Sequence, residues 1–299
     1  MNNNNQTIFI MMTNSICAML MAMVFSSCAI SVSTDAKEGI VPSKNYVTQK
    51  VNVDNFKGIQ TSTSIDVIYT QTTGETDVEI YAPDNLMEYV KVENNGDILK
   101  ISFESKKKGK GLNIRGKHET KVYVSAPVVH TLLASSSGDI FLKNGLQYAG
   151  KVRVEASSSG DIEGSNIVCE ALNVQASSSG DIEFGKVECT SLVTEASSAG
   201  DISIKDLKAE TVSAEASSSG DVSLKGVCQS ATFEASSAGD IEADDLKAEK
   251  VVAKANSAGD VTCYASESLD VSFSSAGSVG YKGNPKQVLG QPKGLKKMD

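Results

Sequence analysis

The chain has 299 residues, a formal net charge of -9, no Trp and only two His. This acidic balance excludes a nucleic-acid binder built on a basic face, and two His exclude a metal-binding His cluster. Apolar residues make up 40% and Gly numbers 24, a composition suited to a chain that passes through many tight turns.

Residues 1–27 carry no charged side chain, and within them Ile16 to Phe25 (ICAMLMAMVF) is an apolar run too short to span a bilayer. That pattern predicts a signal peptide. Ser26 and Ser27 lead into Cys28, which resembles the bacterial lipobox and makes Cys28 the expected lipidation site and mature N-terminus. The segment departs from the usual pattern in lacking an early Lys or Arg and in carrying Phe25 where Leu is common; the alternative is an ordinary signal peptide with Cys28 incidental. Residues 28–45 show no periodicity and contain a Pro, so they read as a lipidated tether.

From 46 to 133 short alternating runs appear: YVTQKVNV, SIDVIYTQ, DVEIYAP, ILKISFE and KVYVSAP. Period two means strand. These runs are expected to form irregular opening coils, with a cap that protects the first edge; a separate small β-domain is the alternative. A basic loop, ESKKKGKGLNIRGKHE, interrupts them at 104–119, and such runs are usually solvated. An anionic lipid or polysaccharide contact is the sharper reading of the same lysines.

From 134 one phrase recurs: ASSSGDI at 134, 156 and 176, ASSAGDI at 196 and 235, ASSSGDV at 216, ANSAGDV at 255 and a worn FSSAGSV at 273. Its carboxylates are Asp139, Asp161, Asp181, Asp201, Asp221, Asp240 and Asp260, in steps of 22, 20, 20, 20, 19 and 20. A regular period of about twenty with alternating strands between corners predicts a solenoid, an all-β parallel β-helix over 134–283 whose coils stack at about 4.8 Å. Ile162, Ile182, Ile202, Val222, Ile241 and Val261 should form one interior column, with Leu172, Leu192, Val212, Val251 and Leu269 in another. Ala156, Ala176, Ala196, Ala216, Ala235 and Ala255 mark a corner where nothing larger fits. The Gly before each Asp is expected to supply a positive φ, while Ser hydroxyls and the Asp carboxylate satisfy nearby backbone N–H groups. The Pro, Gly and Lys content of 284–299 predicts a flexible tail, with the last ladder ending near Tyr281.

The runs FKGI (Phe56 to Ile59), IDVIYTQ (Ile65 to Gln71) and VYVSAP (Val122 to Pro127), together with the serial SGDI units, resemble the putative auto-transporter adhesin family with the head GIN domain, common in lipoproteins of Bacteroidetes. The resemblance runs from about Phe56 to Gly283. It implies a right-handed parallel β-helix of the pectin-lyase kind, no established catalytic residues and a role in adhesion. The basic loop and the Lys-rich tail depart from the pattern.

Several constellations are candidates for chemistry. Stacking places the seven Asp carboxylates about 5 Å apart, where like charges repel by roughly 3 kcal/mol per pair at an effective dielectric near 20. Capping of corner amides offsets this in the simpler reading, and Ca²⁺ bridging is the alternative. Ser157, Ser177, Ser197, Ser217, Ser236 and Ser257 could present hydroxyls to a glycan or to ice, or simply satisfy the bend. His118 and His130 lie outside the phrase and suit a satisfied surface or core role. No G-x-S-x-G elbow, six-residue acyltransferase phasing or compact acid-base set is legible. Cys169 and Cys189 fall one coil apart, within reach of a disulfide, although two buried thiols suit parallel side chains better.

These observations point to a non-catalytic, lipid-anchored protein of the cell envelope, placed at the outer membrane. Its β-helix serves as an adhesin or scaffold that shows a polar face to a glycan, matrix or cell-surface protein. No cofactor and no nucleic acid are implied, the membrane is met only through the lipid, and the wall is compatible with a homo-oligomer. A polysaccharide-lyase-like enzyme and a structural envelope-assembly protein are the alternatives.

Overall fold

In the strand Ser191–Ser197, Leu192, Thr194 and Ala196 are buried while Val193 and Glu195 face solvent, and this in-out alternation holds along the repeat. The computed structural model describes residues 39–106, 111–290 and 294–299; the expected signal peptide, Cys28 and the tether as far as Glu38 lie outside them. Within the described residues the fold is an all-β solenoid of about 8 turns with ~20 residues per turn. No α-helix occurs there, and a single turn of 3-10 helix covers Met87–Tyr89.

The N-terminal strands are β1 (Tyr46–Lys50), β2 (Gly58–Thr61), β3 (Asp66–Gln71), β4 (Asp77–Pro83), β5 (Val90–Asn95), β6 (Ile98–Phe103), β7 (Lys121–Ala126), β8 (Thr131–Ser135) and β9 (Ile140–Leu142). The repeat supplies β10 (Leu146–Ser157), β11 (Ile162–Ser177), β12 (Ile182–Glu188), β13 (Ser191–Ser197), β14 (Ile202–Lys208) and β15 (Thr211–Ser217). It continues through β16 (Val222–Ser236), β17 (Ile241–Asn256), β18 (Asp260–Phe273) and β19 (Ser278–Lys282), and the chain ends in β20 (Gln287–Gly290) and β21 (Lys296–Lys297). One sheet connects them all, so the opening segment shares the repeat's ladder.

Stacking is in register. Val67, Ile140, Ile162, Ile182, Ile202, Val222, Ile241, Val261 and Val279 pair rung by rung in one buried file. A second file runs Val152, Leu172, Leu192, Val212, Ala231, Val251 and Leu269, with Ala231 filling the rung that the sequence pattern skipped. Between Val174 and Ala214, Thr194 occupies an inward position with its hydroxyl fully buried and without a hydrogen-bond partner.

The corners differ from expectation in one respect. The glycine is absent from the residues with positive φ; the two residues before it hold that conformation, as at Ser158 (φ 53) and Ser159 (φ 63). The Gly160 N–H donates to the Ser157 carbonyl at 3.1 Å, closing a turn with the φ signature of type I′. The glycine is required because of the coil beneath it: a Cβ on Gly200 would lie 2.5 Å from the Ser177 backbone nitrogen and 2.8 Å from the Ala176 carbonyl carbon. Gly180, Gly220 and Gly239 meet the same obstruction.

The opening coils are stacked out of sequence order. β2 and β3 lie between β6 and β7 on one side and β8 and β9 on the other, all parallel. Beyond them the pairing turns antiparallel: β4 runs along β7, β1 along β4, and β5 along β6. This is the cap, and antiparallel strands close the parallel edge. At the other end the ladder continues past Tyr281. β20 pairs with Ser268–Val271 of β18, β21 pairs with Gly280 and Tyr281, and Leu295 packs on the core. The Pro, Gly and Lys composition that predicted a flexible tail conceals a last partial coil, turned at Gly283 (φ 88).

Candidate functional site

The Asp file is built into the wall. Each carboxylate accepts, on Oδ1, the backbone N–H of the Asp one coil on: Asp139 from Asp161 at 2.9 Å, Asp161 from Asp181 at 2.9 Å, and Asp181 from Asp201, Asp201 from Asp221, Asp221 from Asp240 and Asp240 from Asp260 at 3.0 Å. The Ser278 N–H ends the file on Asp260 at 3.1 Å. The carboxylate thus replaces a main-chain acceptor where the corner interrupts the ladder, and charge-assisted hydrogen bonds offset the repulsion. Partial burial, followed by neighbouring carboxylates, still raises the Asp66, Asp139 and Asp201 pKa values. Asp66 is an eighth member that the phrase search missed: Thr61 to Val67 (TSTSIDV) aligns with Ala134 to Ile140, and the Asp139 N–H bonds to the Asp66 carboxylate. Among the described residues no three His, Cys, Asp or Glu side chains gather to hold a metal ion.

The Ser file is half-buried at Ser157, Ser177, Ser197, Ser217 and Ser236, and its next rung is Asn256. Ser257 falls one residue later, in the turn (φ 49). The turn pairs, such as Ser178 and Ser179, are exposed to solvent.

The remaining candidates separate. Cys169 and Cys189 are unbonded thiols, pushed up to about 11 and about 12 by burial, with Cys169 adding to the effect on Cys189. His130 packs against Tyr148 with ring centroids 5.1 Å apart. His118 contacts the Thr120 hydroxyl at 3.1 Å and packs edge-on to Phe103, and burial lowers its pKa. In the basic loop Lys106 pairs with Glu88, and Lys107, Lys108 and Lys110 lie outside the described residues.

Two hollows open where the irregular coils meet the repeat. One, of about 420 Å³, lies over the first corner and is lined by Ser64, Asp66, His118, Glu119, Lys121 and Ser137, among others; Lys121 and Glu119 form an ion pair. The other, of about 290 Å³, is a notch on the outer wall between Phe141, Glu163 and Glu183, over Gly164 and Gly185. It continues an outward file, Glu79, Tyr123, Ile68, Phe141, Glu163 and Glu183, one residue per strand. Tyr123 is 42% exposed. Sequence reading passed over Tyr123 and Phe141, although parity marks them: each is an aromatic ring on the polar parity, between two buried residues, in VYV and IFL. Phe184 and Phe233 point inward, and Tyr264 and Phe273 are half-buried.

The family described as "Putative auto-transporter adhesin, head GIN domain" matches residues 55–188 and 184–285. The chain belongs to this family. Similar solved structures include a putative adhesin of Bacteroides fragilis (28% identity, 87% of this chain and 96% of that one, TM-score 0.50). A putative adhesin of Parabacteroides merdae (18%, 88% and 100%, TM-score 0.63) and a putative lipid binding protein of Parabacteroides distasonis (24%, 88% and 100%, TM-score 0.58) share the fold. No protein of curated function matches the sequence. In this head GIN chain the SGDI units, the most conspicuous part of the sequence, carry the corner hydrogen bonds; of the aromatic outward positions, Tyr123 lies in the less regular VYVSAP and Phe141 directly after the first SGDI unit.

Proposed function

We propose that this head GIN protein is a non-catalytic adhesin or scaffold of the cell envelope, held by a lipid on Cys28, whose solenoid wall meets a glycan or protein partner. The observation that supports it best is the wall itself: in-register files of polar side chains on a continuous β-ladder form a rigid surface that repeats at about 4.8 Å. Such a surface gives many equivalent weak contacts, which add by avidity. Membership of an adhesin family agrees with this reading. Glycan arrays and co-purification with the purified protein test it, run beside a polysaccharide-cleavage screen: capture without turnover is the expected result, and turnover of any polymer overturns it. The anchor is tested by labelling with a fatty acid, which Cys28→Ser should abolish.

A second reading has one observation in its favour. The hollow over the first corner groups Asp66, His118, Glu119 and Lys121, the residue types of acid-base catalysis, so a polysaccharide-active enzyme on this fold would place its chemistry there.

A further inference from the structure

We propose that the notch over Gly164 and Gly185 is a sugar subsite that takes one neutral pyranose residue of a glycan chain lying along the Tyr123, Ile68 and Phe141 file. This rests on the glycan-facing reading above and gives it a place and a sugar class.

The outward file changes character along the solenoid. Beyond Glu183 it holds Ser203, Ser223, Glu242 and Thr262, all short or charged. Between Glu79 and Glu163 it holds Tyr123, Ile68 and Phe141, an apolar strip three strands wide within that file. The ring of a pyranose carries an apolar C–H face and a rim of hydroxyls, so it needs a flat apolar surface beside a few convergent acceptors. Phe141 supplies that surface at the mouth of the notch, and the Glu163 and Glu183 carboxylates supply acceptors. Glu163 has no ion-pair partner among the described residues, whereas Glu183 is paired with Lys205.

The two glycines are set by packing: a Cβ on Gly164 would lie 2.9 Å from Leu142 Cδ1 and 3.3 Å from Phe184 Cδ1, both core side chains, and one on Gly185 would lie 2.7 Å from the Ser165 carbonyl oxygen. With strands about 4.8 Å apart, close to the length of one sugar ring, successive residues of a polymer fall on successive strands. Charge sets the class. Two glutamates against one lysine, already paired, disfavour uronates and sulfated sugars.

Titration of the protein with neutral gluco-, galacto- and manno-tetrasaccharides and with uronate tetramers, followed by saturation-transfer NMR, tests the proposal. Binding of at least one neutral tetrasaccharide is expected, weakened about tenfold or more by Glu163→Gln and by Phe141→Ala. Glu242→Gln, in the same file beyond the two serines, should leave it unchanged. Melting curves of the variants show that each remains folded, and the exposed Glu163→Gln keeps the test valid if Phe141→Ala does not. Neutral-sugar binding that survives both variants overturns the notch and leaves the glycan reading standing, as does preference for uronates. No binding of any sugar overturns both.

Discussion

The first corner, Thr61 to Val67, and the repeated corner, as at Ala196 to Ile202, follow the same path with different residues. Both hold two successive positive-φ residues, Thr63 and Ser64 in one, Ser198 and Ala199 in the other. Where the repeat has Gly200, the first corner has Ile65, fully buried. The reason lies beneath. Under Gly200 runs the backbone of an identical tight corner, whereas β6 and β7 beneath Ile65 are joined by the long segment 104–120, and the Ser62 and Asp66 N–H groups bond to Ile101 and Thr120 across it. A repeated corner is therefore dictated by its neighbour, and a corner without such a neighbour is released from the rule. Released positions are also where Tyr123, His118 and the hollow over the first corner occur.

The most severe test of that contrast is Gly200→Ala. With backbone 2.5 Å away, the coil must shift, and a loss of about 3 kcal/mol or more in urea unfolding is expected. Gly138→Ala, whose Cβ would come no nearer than 3.0 Å to Ile65 O, 3.1 Å to Thr61 Oγ1 and 3.4 Å to Ile65 N, should cost about 1 kcal/mol. Equal losses would show that the turn, rather than the coil beneath, selects glycine.

The corner column makes the same contrast in side chains. It reads Ile101, Thr61, Ala134, Ala156 and then alanine through Ala255; the last parallel rung, on β6, has no tight corner to crowd it. Ile101→Ala should leave a cavity and cost about 2–5 kcal/mol, and Ala216→Leu should overpack and cost about 1–3 kcal/mol. One column thus penalises opposite changes in its two regions, as thermal melts of the pair would show.

The repeat was legible because stacking forces like residues into one column at one spacing: the Ile and Ala files follow from position alone. What failed to show in the sequence was whatever a column does not repeat. The order of β6, β2 and β8 in space cannot be read from a chain that visits them as β2, β6 and β8, and the last coil was hidden by Pro, Gly and Lys that signal loops elsewhere. The glycine's role was misassigned because Gly is the usual positive-φ residue. Here Ser158 and Ser159 adopt that conformation, and glycine is required at 160 because a Cβ there would lie 2.6 Å from Ser135 N of the neighbouring coil. Of the candidate site, the charged hollow was invisible because Asp66 and His118 lie far apart in the chain. The aromatic strip was present in the parity of VYV and IFL but outweighed by the louder Ser and Asp columns.

Within the repeat, one inward position breaks the apolar rule. Thr194 carries a buried hydroxyl with no partner between Val174 and Ala214, so Thr194→Val should stabilise by about 1 kcal/mol, raising the melting temperature. A neutral result would mean the hydroxyl is satisfied by water.

The smallest effect separates the Asp file from the cap by the sign of their response to acid. In the cap, hydrogen bonds from Ser43 and Asn45 lower the Asp84 pKa, and Lys57 lowers that of Asp97. Their stabilisation is present above the ordinary Asp value of 3.8 and is lost as pH falls through the lowered one. Burial raises Asp139 and Asp201 instead, so their favourable contribution is complete below 3.8 and is lost as pH rises through the raised value. Asp201→Asn keeps an oxygen for the Asp221 N–H and removes the charge, so it should stabilise by a few tenths of a kcal/mol at neutral pH, an advantage that disappears below pH 3.8. Asp201→Ala removes the acceptor as well and should cost about 1 kcal/mol at either pH. If Asn and Ala behaved alike, the carboxylate would be no main-chain substitute, and the file would need another reason to repeat.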